Sequence, residues 1–222
     1  MKDIEITAGY VVEQRAMFGN VSLLYSFGKR IFDILVSLAA LILLLPLFLV
    51  VIILVKIDSL GPVFFSQKRN GFKGEYFNMY KFRSMVADAE DRFKALEDKN
   101  EVSGNMFKIK NDPRITRVGK VLRKTSIDEL PQLLNVLKGD MSIVGPRPPI
   151  GREVQKYDAW HNLRLSVKPG ITGLWQISGR NDIGFEDMCR LDLKYIRERG
   201  FLYDLKIILK TIPVLFGDSR AS

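Results

Sequence analysis

The sequence predicts an α+β protein, mostly helical, with a proline-broken, re-entrant membrane segment and a small β-hairpin region. Three observations predict this class: an uncharged apolar run from residue 34 to 55, helical spacing of apolar residues through much of the remainder, and a glycine-punctuated aromatic stretch. With 222 residues and 47% hydrophobic content, the chain is long enough to enclose one core.

The apolar run has Ser37 as its one polar side chain and Pro46 near its middle. As a straight helix it would extend roughly 33 Å, about the thickness of a bilayer's hydrocarbon core, so a spanning helix is one interpretation. Proline removes a backbone hydrogen bond and kinks a helix, which favours two half-helices broken at Pro46. Lys29 and Arg30 precede the run and Lys56 follows it. Because cations mark the cytoplasmic side, a re-entrant segment agrees better with two basic flanks.

Composition indicates one class of partner and excludes several kinds of site. The net charge of +9 indicates a polyanionic partner, such as nucleic acid, an anionic membrane or a phosphorylated substrate. Cys189 is the only cysteine and His161 the only histidine, which excludes a disulfide framework, a cysteine-rich zinc site and two-histidine metal sites. Any hard cation would be held by oxygen ligands. Motifs of the GxxxxGK[ST], GxGxxG and GxSxG types are missing from the sequence.

Residue patterns predict the elements after the apolar run. Aromatic and polar residues alternate between Gly61 and Gly74, which predicts a hairpin. GPRPP at 145–149 predicts a fixed loop, and the glycine-rich stretch at 170–182 a turn region. Helices are predicted at 87–99, in two pieces within 115–137 joined near 124–126 and ending at Gly139, around 153–165, and at 185–199.

The terminal stretch at 201–217 has apolar residues on one side and Lys206 and Lys210 towards the other. Such a helix can lie flat in a membrane interface. It can equally pack as an ordinary amphipathic helix on its own domain, and the sequence does not favour either interpretation.

Asp128 and Glu129 stand in TSIDELPQLLNVLKG, which has the pattern of a helix start. Ser126 is expected to cap the helix, Glu129 follows three positions later, and Pro131 suits the opening turn. The positive end of the helix dipole would then favour the ionised form of Asp128, ready to act as a nucleophile or metal ligand. An ordinary capping box without catalytic role is the alternative.

Several basic residues are candidates for binding phosphate, because a guanidinium donates paired hydrogen bonds to phosphate oxygens. Arg147 is the strongest candidate, since Pro146 and Pro148 fix its backbone and a site requires rigid presentation. Each of the others, taken singly, can also be interpreted as a surface ion pair. The candidates are Lys81, Arg83, Arg123, Lys124, Arg147 and Arg180.

Seven segments of the chain carry a family resemblance. In sequence order they are KRIFD, the apolar run, GPVFFSQKRNG, YKFRSM, LRKTSIDELPQLLNVLKGDMSIVGPRP, KPGITGLWQISGR and LDLKYI. In this order they resemble the bacterial sugar transferase family, the monotopic phosphoglycosyl transferases or undecaprenyl-phosphate hexose-1-phosphate transferases. The resemblance extends from about residue 29 to 217. Leu45 departs from it, because the family usually has a small polar residue before the membrane proline.

Residues 1–28 have mixed polarity and little periodicity, which predicts an arm or linker. The resemblance implies a re-entrant membrane helix at 29–57 and a catalytic domain with interfacial helices at 58–222. It places the protein at the cytoplasmic face of the bacterial inner membrane. By similarity, Asp128 attacks the sugar-linked phosphorus of a UDP-hexose, and polyprenyl phosphate then takes up the covalent phosphosugar. Mg²⁺ is expected at Asp128 and Glu129, with Glu129 supporting the metal or acid–base chemistry.

Substrate-binding roles follow from the same resemblance for Lys81, Arg123, Arg147 and Asp204. We add Arg83, Gln176 and Arg180 as substrate-binding candidates. The expected partners are a UDP-hexose, polyprenyl phosphate, membrane lipids and, from relatives, a second copy of the chain.

Two other functions compete with this one. A membrane-anchored basic binding module without catalysis would bind anionic partners by charge alone. The cations are interleaved with acids and proline turns and form no stripe, so we expect no nucleic acid partner. A purely structural membrane component would give no reason for arginines around a carboxylate pair.

Overall fold

The computed structural model describes residues 22–89, 91–92, 109, 112–179 and 183–217. Short 3-10 turns at 72–74, 127–129 and 163–166 connect the main elements. The mixture agrees with the predicted α+β, mostly helical class. The strands are β1 Phe64–Asn70, β2 Tyr76–Phe82, β3 Ser142–Val144 and β4 Gly170–Thr172. The helices are α1 Leu23–Leu43, α2 Leu45–Asp58, α3 Arg117–Lys124, α4 Gln132–Lys138, α5 Gly151–Val154, α6 Ala159–Asn162, α7 Leu174–Ser178, α8 Phe185–Glu198 and α9 Phe201–Gly217.

The apolar run forms α1 and α2, which are bent by 61° relative to each other. The interruption is at Leu44, and Pro46 lies in the first turn of α2, where its missing N–H leaves no helical hydrogen bond unmade. In the described part of the chain, no single helix is long and apolar enough to cross a membrane, whereas the bent pair together meets that criterion by length and composition. Exposed side chains on the pair include Leu35, Leu43, Leu49, Ile53 and Ile57.

Polar side chains on α1 attach it to the rest of the molecule. Arg30 donates to two carbonyls in the last turn of α4, at 2.6 and 2.8 Å. The last carbonyls of a helix lack donors within the helix; the guanidinium bonds both of these, and the Val136 carbonyl also accepts from the Gly139 N–H. Asp33 accepts hydrogen bonds from the Ser142 hydroxyl and the Ile143 N–H. Helix α1 is therefore joined to both α4 and β3.

The predicted hairpin is confirmed, since β1 and β2 pair antiparallel with Phe64 opposite Phe82. A second, parallel pair of β3 and β4 was not predicted. The interpretation of 170–182 as a turn region was wrong at 170–172, which form β4, and at 174–178, which form α7. Strands of three residues are too short to show a period of two, and a five-residue helix is too short to show helical spacing. The helix predicted around 153–165 is also wrong: α5, α6 and a 3-10 turn replace it. A new helix begins after Asp158, whose N–H donates to a ring nitrogen of a histidine one turn on.

Two other helical predictions are confirmed. The 115–137 region forms α3 and α4, and Gly139 ends α4 in a left-handed conformation with φ 93°. The region 185–199 forms α8. The charged helix predicted at 87–99 lies largely outside the described residues.

Of the three clusters of buried apolar side chains among the described residues, two surround the turn between α3 and α4. The smaller cluster packs α2 against β2 and α3 through Val51, Val55, Phe82 and Leu122. The larger one joins β2, α4, β3, α8 and α9. Since β2 contributes to both clusters, the turn between α3 and α4 is fixed from two sides. The buried members of the larger cluster are Met79, Leu133, Val136, Met141, Ile143, Val144, Tyr195, Ile196 and Ile207.

The terminal helix α9 confirms one of its two predicted arrangements, packing on its own domain, and a position in a membrane interface stays a prediction. Ile207 is fully buried in the larger core cluster, so the helix packs on its own domain. Leu202, Leu205 and Leu209 remain exposed, so an apolar side of the same helix is open.

Candidate active site

A tight turn between α3 and α4 carries the two predicted carboxylates. Ser126 has a left-handed backbone with φ 55° and makes no capping hydrogen bond through its side chain. Ile127–Glu129 form a 3-10 turn, and α4 begins only after Pro131. The predicted capping box at Ser126 is therefore wrong. Successive residues of a 3-10 turn point about 120° apart, so Asp128 turns inward, 7% exposed, while the Glu129 side chain stays 38% exposed.

Burial dominates the electrostatics of Asp128. Desolvation raises the pKa of its carboxyl from 3.8 to about 6, and the negative charge of Glu129 acts in the same direction. The positive charges of Lys81 and Arg123 lower the pKa but do not offset the burial. The expectation from the helix dipole was wrong in direction, because the carboxyl is enclosed in a turn ahead of the α-helix. At pH 7 the group is nevertheless mostly ionised, since the pH exceeds its pKa.

Strand β2 brings Lys81 to this turn. Its Nζ lies 2.6 Å from Glu129 Oε1 and donates a hydrogen bond to it. The strand is rigid at this point, because Met79 and Phe82 are both buried in the core. The structure thus brings Lys81 together with both predicted carboxylates.

The other predicted cations differ in their placement. Arg123 lies in the last turn of α3, and its charge acts on Asp128, so it belongs to the same cluster. Arg83 donates instead to the carbonyl and hydroxyl of Ser59 at the end of α2, at 2.7 and 3.0 Å. Gln176 lies half-buried on α7. Arg180 falls outside the described residues.

The GPRPP segment is a buried loop without regular secondary structure, as predicted. The Arg147 side chain is 28% exposed, and its Nη1 lies 3.4 Å from Glu153 Oε2. The same carboxylate accepts a hydrogen bond from the Ile150 N–H. A fixed acidic partner therefore restrains the Arg147 guanidinium at the edge of the loop.

Sequence reasoning missed Arg69, which is 8% exposed at the end of β1. Its Nη1 donates to the Pro148 carbonyl at 3.1 Å. Burial, with the Arg147 charge acting in the same direction, lowers the pKa of Arg69 to about 9, although the charges of Glu153 and Glu129 raise it. Arg69 therefore lies among the charges of the proline loop and the carboxylate pair. The signal that could have found it is hairpin alternation, which puts Arg69 on the same face as Lys81.

Asp204 lies at the junction of α1 and α9. Its Oδ2 accepts from Lys29 Nζ at 2.7 Å and from the Tyr25 hydroxyl at 2.9 Å, and its Oδ1 accepts from the Tyr195 hydroxyl at 2.9 Å. The residue is 4% exposed. These contacts tie α9 to α1, and the substrate-binding role of Asp204 stays a prediction.

The predicted metal site offers two carboxylates. Among the residues that the structure describes, no group of three or more His, Cys, Asp and Glu side chains could hold a metal ion. Mg²⁺ usually keeps several waters and binds through one or two carboxylates together with substrate phosphates. Asp128 and Glu129 therefore fit a cation that is shared with a phosphorylated ligand, and they do not form a complete protein cage.

Comparison with known proteins identifies the family. The bacterial sugar transferase profile matches residues 24–218. The galactosyl transferase CpsE of Streptococcus agalactiae is 57% identical over 156 residues, which cover 70% of this chain and 35% of that protein. The exopolysaccharide production protein ExoY of Sinorhizobium fredii is 42% identical over 213 residues, 94% of this chain and 93% of ExoY. The undecaprenyl-phosphate galactose phosphotransferase of Salmonella typhimurium is 44% identical over 193 residues, 85% of this chain.

The chain spans only 35% and 40% of the length of the first and third of these relatives. It nevertheless matches the family profile along nearly its whole length, including the turn with the carboxylate pair and the proline loop. The chain therefore belongs to the bacterial sugar transferase family.

Proposed function

We propose that the protein is a monotopic phosphoglycosyl transferase that moves a hexose 1-phosphate from a UDP-hexose to polyprenyl phosphate, in surface polysaccharide synthesis. The observation that carries this proposal is a buried, mostly ionised Asp128 carboxyl beside Lys81, Arg123 and Glu129. The names of relatives support the acceptor and the sugar donor, since they include undecaprenyl-phosphate galactose and glucose phosphotransferases.

The proposed reaction has two displacements at one phosphorus. First, an Asp128 carboxylate oxygen bonds to the sugar-linked phosphorus, and the bond from that phosphorus to the bridging oxygen breaks, so uridine monophosphate leaves with the electron pair. Second, an oxygen of dianionic polyprenyl phosphate attacks the same phosphorus and the carboxylate leaves. Asp128 is restored, and neither step requires a net proton transfer.

The surroundings of Asp128 suit this chemistry. A carboxylate of raised pKa and low hydration is more basic and more nucleophilic than an exposed one. Lys81, Arg123 and Arg147 supply the positive charge that a diphosphate and its transition state require. Magnesium at Asp128 and Glu129 would neutralise diphosphate charge when bound. Glu129, partly exposed and held by Lys81, is assigned to metal or acid–base support.

We further propose that α1 and α2 dip into one leaflet at the cytoplasmic face of the inner membrane. Both ends of the bent pair are bound to the same body: Lys29 pairs with Asp204 near the start of α1, and Asp58 at the end of α2 accepts the Val118 N–H of α3. A straight spanning helix would separate its two ends by the membrane thickness. The 61° bend and the exposed apolar side chains support a re-entrant path, and the open side of α9 supports an interfacial position.

Uridine monophosphate release tests the proposed function. Detergent-purified protein is incubated with a panel of UDP-hexoses, polyprenyl phosphate and Mg²⁺. We expect release with at least one UDP-hexose, and loss of turnover in Asp128→Asn. Asp187→Asn is the matched control, because this carboxylate is 65% exposed on α8 and pairs with a surface arginine. Turnover of Asp128→Asn at the wild-type rate would contradict the proposal.

A further inference from the structure

The proline loop is held through its carbonyls. Pro146, Pro148 and Pro149 have no N–H, so Arg147 carries the one main-chain donor between residues 146 and 149. Each of the four carbonyls from 146 to 149 instead accepts a hydrogen bond from elsewhere in the fold. The donors are Gly170 N–H to Pro146, Arg164 Nη2 to Arg147, Arg69 Nη1 to Pro148 and Asn70 N–H to Pro149.

Two of these four donors are buried guanidiniums, and both act on the main chain at and next to Arg147. We propose that Arg69 and Arg164 are positioning residues, which fix the loop so that the Arg147 guanidinium meets the phosphate groups of the nucleotide-sugar donor. This inference rests on the proposed function, because it takes Arg147 to contact that donor.

Arg164 forms a buried ion pair with Asp192. Its Nε and Nη2 lie 2.8 and 2.6 Å from Asp192 Oδ2, and its Nη1 donates to the Tyr157 hydroxyl at 2.6 Å. Arg164 is 2% exposed and Asp192 is fully buried. Buried ion pairs are often no more stabilising than apolar side chains of similar size. A hydrogen bond from this rigid pair to the Arg147 carbonyl, at 3.3 Å, gives it a geometric role instead.

Arg69 reaches the loop from the opposite side, from β1. Its Nε and Nη2 both donate to Gln67 Oε1, at 3.1 and 2.7 Å, and this fork orients the remaining nitrogen towards Pro148. The partners of Arg69 are neutral oxygens, and no carboxylate among the described residues forms an ion pair with it. Burying a cation without an ion-pair partner is unfavourable, so stabilisation of the fold does not explain why Arg69 is buried.

A double-mutant cycle on donor turnover separates positioning from direct contact. The variants are Arg69→Met and Arg147→Met, alone and combined, with kcat/KM for the UDP-hexose measured by uridine monophosphate release. We expect each single variant to lower kcat/KM by ~10- to 100-fold, the range that a displacement near 1 Å can produce. In the Arg147→Met background, we expect Arg69→Met to lower it by less than about 2-fold, because there is no longer a guanidinium to position. Arg69→Lys, which can still donate one hydrogen bond to Pro148, should recover part of the loss.

Thermal unfolding of every variant checks that the fold is kept. If Arg69→Met does not fold, Gln67→Met and Tyr157→Phe enter the same cycle, since each removes only the group that orients one clamping arginine. Arg190→Met is the matched control, because Arg190 is 71% exposed and pairs with a surface aspartate, and its kcat/KM should stay at the wild-type value.

The outcomes distinguish the two proposals. If the wild type is active and the two losses multiply in the combined variant, Arg69 acts on the donor independently of Arg147. That result would overturn the positioning role and leave the proposed function standing. A wild-type protein that releases no uridine monophosphate from any UDP-hexose would overturn the proposed function and the positioning role with it.

Discussion

Replacing Asp128 with asparagine should make the protein more stable at neutral pH. Asp128 is 7% exposed, and burial raises its pKa from 3.8 to about 6. Because the folded-state pKa exceeds the unfolded one, the folded protein binds the proton more tightly. The corresponding stability is present below pH 3.8 and is lost as the pH rises through 6. Asparagine has nearly the same shape and no charge to desolvate, so it avoids this loss.

The size of the effect follows from the pKa shift. A shift of about two pH units corresponds to about 3 kcal/mol of unfolding free energy once the carboxyl is fully ionised. The amide also gives up attraction to Lys81 and Arg123, but the pKa already contains these contributions. For a chain of this length we expect a rise in Tm of about 5 to 10 °C above pH 7.

The assay is thermal unfolding of detergent-purified protein in EDTA, at pH values from 4.5 to 8. The Tm difference between Asp128→Asn and wild type should be small at the acidic end, increase through pH 6 and then level off. Asp187→Asn, at a largely exposed site, should show little difference throughout. A variant less stable than wild type at pH 8, or a difference that does not change with pH, would refute the reasoning.

Three further substitutions test the packing around the site. Arg30→Met removes the donor to the Leu137 carbonyl and one of two donors to the Val136 carbonyl at the end of α4, and it should lower the unfolding free energy by about 1–3 kcal/mol. Asn135→Leu removes the fully buried amide that bonds the Tyr80 N–H and a β2 carbonyl, and it should cost about 2–4 kcal/mol. Denaturant midpoints check both, and unchanged midpoints would contradict them. Gly170→Ala places a methyl group against the Gly145 main chain and should abolish most folded protein in size-exclusion chromatography. A matched Gly184→Ala, with no atom within 4 Å of the new methyl, should fold normally; equal yields would count against this packing.

Long or repeated sequence patterns predicted the fold well. The helical spacing in α3, α4 and α8 and the alternation in the hairpin are local signals, and a proline in an apolar helix has a local steric effect. The parallel pairing of β3 with β4 joins Ser142 to Gly170 and Val144 to Thr172. Such pairing depends on contacts distant in sequence, which the short strands do not encode in a recognisable period.

The candidate site was predictable in its residue types but less so in its electrostatics. Asp128, Glu129 and Lys81 were named from the sequence, and the structure places them together. The direction of the Asp128 pKa was missed, because burial depends on what β2 and α3 place around the turn. Arg69 was missed because a basic residue in a strand looks like a surface position until the proline loop is packed over it.

Mass spectrometry of the half-reaction tests the central claim most directly. The protein is incubated with a UDP-hexose and Mg²⁺ in the absence of polyprenyl phosphate, quenched and digested. We expect a hexose phosphate on the Asp128 side chain, one uridine monophosphate released for each adduct, and loss of the adduct when polyprenyl phosphate is added before the quench. An adduct located on Glu129 or any other residue, or uridine monophosphate released only when the acceptor is present, would contradict an aspartyl intermediate.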